Sequence, residues 1–424
     1  MYDRGLKVLP GGVNRVRGFL SPFPIYAESA EGSWITDVDG TRWLDCNNNS
    51  LSLIHGHARS EIVDAGRRQL GLGTAMSTPT ESEIGLAEML CERLPNMASI
   101  RFFNSGTEAV MFAIKAARAK TGKSKIAKIE GAYHGLYDFA ETSLDPAPGQ
   151  WSNEPTAVPY AKGTPKSVLS EVIVLELNNV ESMVRLLREN QSDLAAVLVD
   201  VLPLTTGTLS MDPDFLRAIR SLTRDLGIML IMDEVVSFRF GFGGMQGVYG
   251  CDPDLTALGK IIGGGFPVGA VAGTASAMEV FDHRLTGKPL LPASGTFTAN
   301  PMTMTCGKVA VELYTADECA RLNKLGQDVR DNVDRMIRKL GFEAQTTGYG
   351  SVFKIHFNRH PLHNYRDAYP TEDDRKMAAA FTSRMLARNV LVSPYGFVFS
   401  TAHRGSDVDI LLAAIEEALE ACAS

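Results

Sequence analysis

Cysteine is scarce in this chain. Six occur in 424 residues (Cys46, Cys91, Cys251, Cys306, Cys319 and Cys422), and no two stand as C-x-x-C. That scatter argues against a disulfide framework and against a zinc site, and it fits a reducing compartment. A basic excess is also missing: 42 Lys and Arg face 49 Asp and Glu, for a net charge of −7. A nucleic-acid surface needs a basic patch, so no such partner is expected. No apolar run approaches the roughly 18 residues of a membrane span. The opening MYDRGLKVLPGG has no apolar h-region, so no secretory leader is visible and a cytoplasmic setting is expected. G-x-G-x-x-G occurs nowhere, which weakens a dinucleotide reading. Gly122-Lys123-Ser124 is not a Walker loop, because position 117, where the earlier glycine would stand, is Ala. His55 and His57 are close together with only Cys46 nearby, so they read as loop or strand-end histidines and no metal is expected.

What is present is an ordinary globular composition, 45% hydrophobic and 21% charged. The length is too great for one small core. Short apolar runs alternate with helical patterns from about residue 98 to 275, which implies a mostly parallel, doubly wound sheet. The runs are Ile100–Asn104, Lys125–Ile129, Val172–Leu177, Leu194–Leu202 and Ile228–Met232. Val268–Gly273 reads as an antiparallel strand at an edge. Helical patterns cover Ser60–Leu70, Thr80–Leu94, Val110–Lys120, Val180–Glu189, Phe215–Leu226 and Met302–Tyr314. Two alternating runs around Asp39-Gly40 signal a hairpin. The part after Asp328 holds helices at Asp328–Leu340, Asp374–Ala387 and Asp407–Ala421, with strands at Val352–Phe357 and Val390–Val392. It reads as a smaller α+β unit. Residues 145–165 hold five prolines and read as a lid beside a site.

The stretch Ile228–Gly269 organises the rest. An apolar run meets Asp233 and Glu234, and Lys260 follows 27 positions beyond Asp233, ahead of Gly263, Gly264 and Gly265. Ligands of open α/β sheets bind at the carboxyl ends of strands, so Asp233 belongs at a site's rim. Pyridoxal phosphate needs a lysine for its aldehyde and a carboxylate to keep its pyridine nitrogen protonated. Taken singly, Asp233 would serve as a turn cap and Lys260 as a surface lysine. A second stretch, Asn104-Ser105-Gly106-Thr107-Glu108, reads as strand, turn and helix start, a phosphate cradle or a plain helix cap. Tyr133-His134-Gly135 places an aromatic at a strand tip, to stack on a flat ring or to pack in the core. Arg15 and Arg17 follow Pro10-Gly11-Gly12, as solvated charges or as a grip on a substrate carboxylate. Ser294, Thr296 and Thr298 read as caps of the helix from Met302 or as phosphate ligands.

Seven motifs stand in one order along nearly the whole chain. They are PGGVN (10–14), DVDG (37–40), NSGTEA (104–109), YHG (133–135), DEV (233–235), LTALGKIIGGGFPVGA (255–270) and SGTFTANP (294–301). In them the chain resembles the class III, fold-type I pyridoxal-phosphate aminotransferases. The branch it is most similar to holds glutamate-1-semialdehyde aminomutase and β-phenylalanine aminotransferase.

The resemblance implies an α/β fold-type I enzyme with a large domain (61–305) and a smaller α+β domain from both chain ends (1–60 and 306–424). It implies pyridoxal 5'-phosphate held by Lys260, with Asp233 on the ring nitrogen and Val235 under the ring. Ser105, Gly106 and Thr107 match the phosphate turn, and Tyr133 with His134 the other ring face. Thr296 matches a phosphate ligand contributed by a neighbouring subunit, hence a homodimer with shared sites. Arg15, or Arg17, matches the substrate-carboxylate ligand. Two departures stand out. The family's Glu-Pro is here Asp200-Val201-Leu202-Pro203, and the region from Tyr137 to Lys166 lacks the glycine-rich gating loop of the aminomutases.

The expected reaction moves an amino group from a carboxylate-bearing amine, with β-amino acids among the candidates, to a 2-oxo acid. The alternative is an intramolecular 2,1-aminomutase of the glutamate-1-semialdehyde type. A rival of another class is a non-catalytic cofactor- or phosphosugar-binding protein.

Overall fold

The structure, a computed structural model, describes residues 1–15 and 24–423. It divides into two compact units: 1–60, 322–359 and 370–424 form one, and 61–321 with 360–369 form the other.

The larger unit carries a sheet of seven strands among the described residues. In spatial order they are Ser99–Phe103, Gly269–Gly273, Leu255–Gly259, Met229–Asp233, Leu194–Val199, Lys125–Ile129 and Val172–Leu175. The five from Leu255–Gly259 to Val172–Leu175 run parallel, and Gly269–Gly273 is antiparallel to both its neighbours. That strand is therefore interior rather than at an edge, which corrects the sequence expectation. Its residues, GAVAG, are small and all buried, so both faces lie under other elements and the edge passes to Ser99–Phe103. Leu194–Val199 and Met229–Asp233 are buried at every position, as parallel strands covered on both faces require.

Local chemistry sets the helix ends that matter for the site. Gly106–Thr121 starts four residues earlier than periodicity suggested, because Ser105 Oγ accepts from Glu108 N at 3.1 Å. It stops at Gly122, whose φ of 70° is open to glycine. Pro301–Leu313 is capped by Asn300, whose side chain accepts from Thr303 N at 2.9 Å. Asn300 thus takes the capping role that Ser294, Thr296 and Thr298 were expected to share. One side of the sheet packs on Gly106–Thr121 through Ala109, Val110, Ala113, Ile114 and Ala117. No helix among the described residues is long and apolar enough to cross a membrane.

Among its described residues the smaller unit holds two sheets. Ala27–Glu31 pairs antiparallel with Trp34–Asp37, Trp34–Asp37 pairs antiparallel with Arg42–Cys46 about the Asp39-Gly40 turn, and Val390–Val392 joins Arg42–Cys46 in parallel. Gln345–Tyr349, a polar strand that periodicity missed, pairs with Val352–His356 and the latter with Phe397–Val398. The helix expected from Asp328 begins at Ala316 and runs 25 residues to Leu340. His57 Nε2 lies 2.7 Å from Asp45 Oδ2, and His55 Nδ1 lies 3.0 Å from Thr401 Oγ1. All six cysteines are free thiols.

Candidate active site

Asp233 ends the strand Met229–Asp233 and pairs in register with Ala257 of the adjacent parallel strand. Lys260 lies three residues past Ala257, directly after that strand ends at Gly259. Parallel pairing therefore sets the acid and the lysine on neighbouring strand tips. Lys260 is half-buried and takes φ 49°, a left-handed conformation that costs a non-glycine residue about 1–2 kcal/mol. Strain of this kind is tolerated where the surroundings dictate it, most often at functional sites. Burial draws the Lys260 ammonium down from its ordinary range, partly opposed by the carboxylates of Asp233 and Asp200.

Asp233 is itself held on both oxygens. His134 Nδ1 lies 2.8 Å from Oδ2, and Val235 N donates to Oδ1 at 3.0 Å. An ionised carboxylate offers about four lone-pair sites, so capacity remains for another donor. His134 is buried, and burial lowers its pKa below the usual imidazole range. The neutral ring then gives its Nδ1 proton to Asp233. Its Nε2 is buried with no hydrogen-bond partner.

Around these groups the backbone is bare. A Cβ on Gly106 would stand 2.9 Å from a Val235 methyl, and one on Gly135 would stand 2.6 Å from Thr107 Oγ1. A Cβ on Gly269 would overlap the carbonyl oxygen of Ser105. The strand tips and the helix start are thus pressed together through glycines. Gly106 and Thr107 begin a 16-residue helix, where backbone N–H groups have no intrahelical acceptor. Those donors and the helix dipole suit a phosphate. A cradle that any Cβ would fill, an anion-binding helix start, a carboxylate with spare acceptors and a desolvated lysine fit pyridoxal phosphate.

Three further buried ionisable groups surround it. Asp200 follows Leu194–Val199; burial and the charge of Asp233 push its carboxyl well above the usual carboxylate range. Glu234 is pushed up to about 7 by burial, against the pull of the Met245 and Gln246 amides that donate to it at 2.8 and 2.6 Å. Lys128 is fully buried, donates to Thr142 O at 2.9 Å, and is drawn down to about 7 by burial. Asp200 was noted for its departure from Glu-Pro and Glu234 as the carboxylate next to Asp233, with no role given to either, and Lys128 was not singled out in the sequence. A carboxylate closing an apolar run marks Asp200 as it marks Asp233, whereas nothing local distinguishes Lys128 from an exposed strand lysine.

Ser105, Gly106, Thr107, Tyr133, His134, Asp233, Val235 and Lys260 all belong to the larger unit. The contacts above join Ser105, Gly106, Thr107, His134, Asp233 and Val235, and Tyr133 is half-buried next to His134. Thr296 is also in the larger unit but exposed, ahead of the helix Pro301–Leu313. Arg239 is fully buried, and its carbonyl accepts from Tyr314 Oη at 2.5 Å. In the smaller unit, Arg15 Nη1 donates to Asn49 Oδ1 at 2.5 Å. Asn49 sits in a left-handed run, with φ of 48°, 50°, 55° and 72° from Asn48 to Leu51. Arg17 lies outside the described residues.

An open mostly parallel sheet with this acid, lysine and helix start at its strand tips defines a pyridoxal-phosphate enzyme of fold type I. The chain belongs to the class-III aminotransferases, whose family model matches residues 19–401. An omega-transaminase from Sphaerobacter thermophilus superimposes with a TM-score of 0.95 at 45% identity, covering 100% of this chain and 97% of that one. A β-phenylalanine aminotransferase from Variovorax paradoxus gives 0.88 at 31%, covering 98% and 92%. The glutamate-1-semialdehyde 2,1-aminomutase of Methanobrevibacter smithii is 36% identical over 424 residues, 99% of this chain and 97% of its own length.

Proposed function

We propose that the chain is an aminotransferase that takes an amino group from a carboxylate-bearing amine, with β-amino acids among the candidates, and passes it to a 2-oxo acid. Bound pyridoxal phosphate supplies the electron-withdrawing ring that stabilises negative charge on the substrate carbon. Lys260 Nζ, desolvated and drawn below its ordinary range, takes the carbon-bound proton and returns it, as general base and acid. Asp233, steadied by His134, keeps the ring nitrogen protonated. Ser105, Gly106 and Thr107 hold the phosphate, Val235 and Tyr133 hold the two faces of the ring, and Arg15 or Arg17 grips the substrate carboxylate.

The observation that carries the intermolecular reading is the 45% identity to an omega-transaminase across the whole chain. A second reading has its own support. The curated relatives at 34–36% identity are named glutamate-1-semialdehyde 2,1-aminomutase, and an aminomutase needs no 2-oxo acid. A homodimer is part of the proposal. Thr296 is supplied across the interface, and the exposed Leu285, Leu290 and Phe297, near it in the chain, are apolar surface that a second copy would cover. The six free thiols support a reducing, cytoplasmic setting.

The test is single turnover of the cofactor-loaded protein with α-amino acids, β-amino acids, simple amines and glutamate-1-semialdehyde, without any 2-oxo acid. One keto product per site, with further turnover only after a 2-oxo acid is added, supports the transferase. Sustained turnover of glutamate-1-semialdehyde alone replaces it with the aminomutase. Reaction with Lys260→Ala as fast as with the parent would sink both.

A further inference from the structure

The turn that carries Tyr133 and His134 is gripped by chain from more than two hundred positions away. Residues 360–369 belong to the larger unit although the chain on either side of them does not. Arg366 makes a two-pronged pair with Glu130, Nε to Oε2 at 2.8 Å and Nη2 to Oε1 at 3.0 Å. Glu130 is buried and directly follows the strand Lys125–Ile129. The remaining Arg366 nitrogen, Nη1, donates to Ser152 O at 2.6 Å, and the guanidinium stands 5.4 Å from the Trp151 ring centroid.

Tyr365 fills the space beside Gly131, where any Cβ would overlap its ring. Gly131 has φ 76°, so the turn needs glycine for its backbone as well as for this contact. The Tyr365 hydroxyl, itself buried, donates to Asp145 Oδ1 at 2.9 Å. Asn364 Nδ2 donates to Glu176 Oε1 at 2.8 Å, and Tyr369 meets Trp151 edge-on at 5.5 Å. The proline-rich stretch read as a lid is therefore tied, through Asp145, Trp151 and Ser152, to the same segment.

We propose that Asn364–Tyr369 is a strap that positions the turn Glu130–Gly135 on the cofactor ring, with Arg366 and Tyr365 as positioning residues. The inference rests on the reading of Tyr133 and His134 as ring contacts. The path is short: Arg366 and Tyr365 fix Glu130 and Gly131, three residues on is His134, and His134 holds Asp233 at 2.8 Å. Removing one partner of a buried ion pair leaves the other charge uncompensated, and the backbone that carries it moves to find solvent. Here that backbone leads directly into the turn on the ring.

The test compares Arg366→Met, Tyr365→Leu and the charge-free pair Glu130→Gln/Arg366→Met with the parent. The readouts are the dissociation constant for pyridoxal phosphate and the visible circular dichroism of the bound cofactor. Both single variants are expected to weaken binding about tenfold and to reduce the visible dichroism. The double variant, which has no stranded charge, is expected to recover part of the loss.

Arg220→Met is the control for stability alone. Arg220 pairs with Asp254 at 2.9 Å, and Asp254 caps Leu230 N near the start of the strand Met229–Asp233, at the far end of the sheet from the site. It should lower the unfolding midpoint with cofactor affinity unchanged. Arg366→Met that lowers the midpoint but leaves affinity and dichroism at parental values overturns the strap. Tyr133→Leu separates this from the underlying reading. Loss of affinity in Tyr133→Leu but not in the Arg366 and Tyr365 variants refutes the strap alone. Parental affinity in Tyr133→Leu refutes the ring contact, and the strap's route with it.

Discussion

His134 Nδ1 lies 2.8 Å from Asp233 Oδ2, and the second nitrogen of the same imidazole is buried with no partner. Burial lowers the pKa of the imidazole, which favours its neutral form, with Nδ1 facing the carboxylate. Replacing His134 with Phe keeps the volume and removes the donor. A hydrogen bond to a charged group contributes roughly 1.5–3 kcal/mol, so cofactor affinity should fall about tenfold to a hundredfold. Equilibrium titration with pyridoxal phosphate checks this, and an unchanged affinity would mean that Asp233 needs no help from His134.

Lys260 is expected to be the residue that carries the cofactor. Borohydride reduction of the loaded protein, followed by peptide mapping, should place the pyridoxyl mass on Lys260, and Lys260→Ala should lose roughly 10²–10⁴ in kcat/KM. A label on another lysine would refute the assignment.

Gly269→Ala tests the cradle. Its methyl would collide with the Ser105 carbonyl, which is backbone and cannot swing aside. Overpacking of this kind costs about 1–3 kcal/mol, and the displaced carbonyl belongs to Ser105, the cap residue of the helix Gly106–Thr121 proposed to hold the phosphate. Both the urea midpoint and the affinity for pyridoxal phosphate should drop. Gly122→Ala makes no such collision but carries φ 70°, so it should lose stability and retain affinity.

Two buried groups give stability opposite pH slopes. Glu234 rises from 4.5 to about 7 on folding, so between those values the folded chain holds a proton that the unfolded chain has lost. Stability therefore falls as pH climbs through that window. Lys128 drops from 10.5 to about 7, so above about 7 the unfolded chain holds the extra proton and stability rises toward pH 10.5. Lys128→Met should flatten the alkaline rise, changing the difference from the parent by on the order of 3 kcal/mol between about pH 7 and 10. Urea unfolding across that range measures it, and parallel curves would show that Lys128 does not titrate there.

Arg15 is expected to act on the substrate rather than on the cofactor. Arg15→Met should raise KM for a carboxylate donor about tenfold to a hundredfold and leave amines without a carboxylate unaffected. Asn49→Ala, which frees the Arg15 guanidinium without removing it, should have the same sign and a smaller size. Equal losses for charged and uncharged amines would remove Arg15 from the substrate grip.

Much of this molecule was legible in the chain itself. Apolar runs the length of a strand, bounded by caps and glycines, marked Lys125–Ile129 and Val180–Glu189 to the residue. An acid at the end of one run and a lysine before a glycine cluster marked the candidate site, because burial on both faces and close backbone approach leave local traces. Other features left none. The interior place of Gly269–Gly273 depends on which strands it meets, and GAVAG carries no preference between an edge and the middle. Lys128 resembles any strand lysine until the fold closes over it and burial shifts its proton. Glu130 and Arg366 are 236 positions apart, and no periodicity connects them. Sequence determines patterns of a few residues' reach, such as strands, caps and glycine turns. Only tertiary structure decides which distant charges share a dry environment, because desolvation depends on what surrounds a group in space.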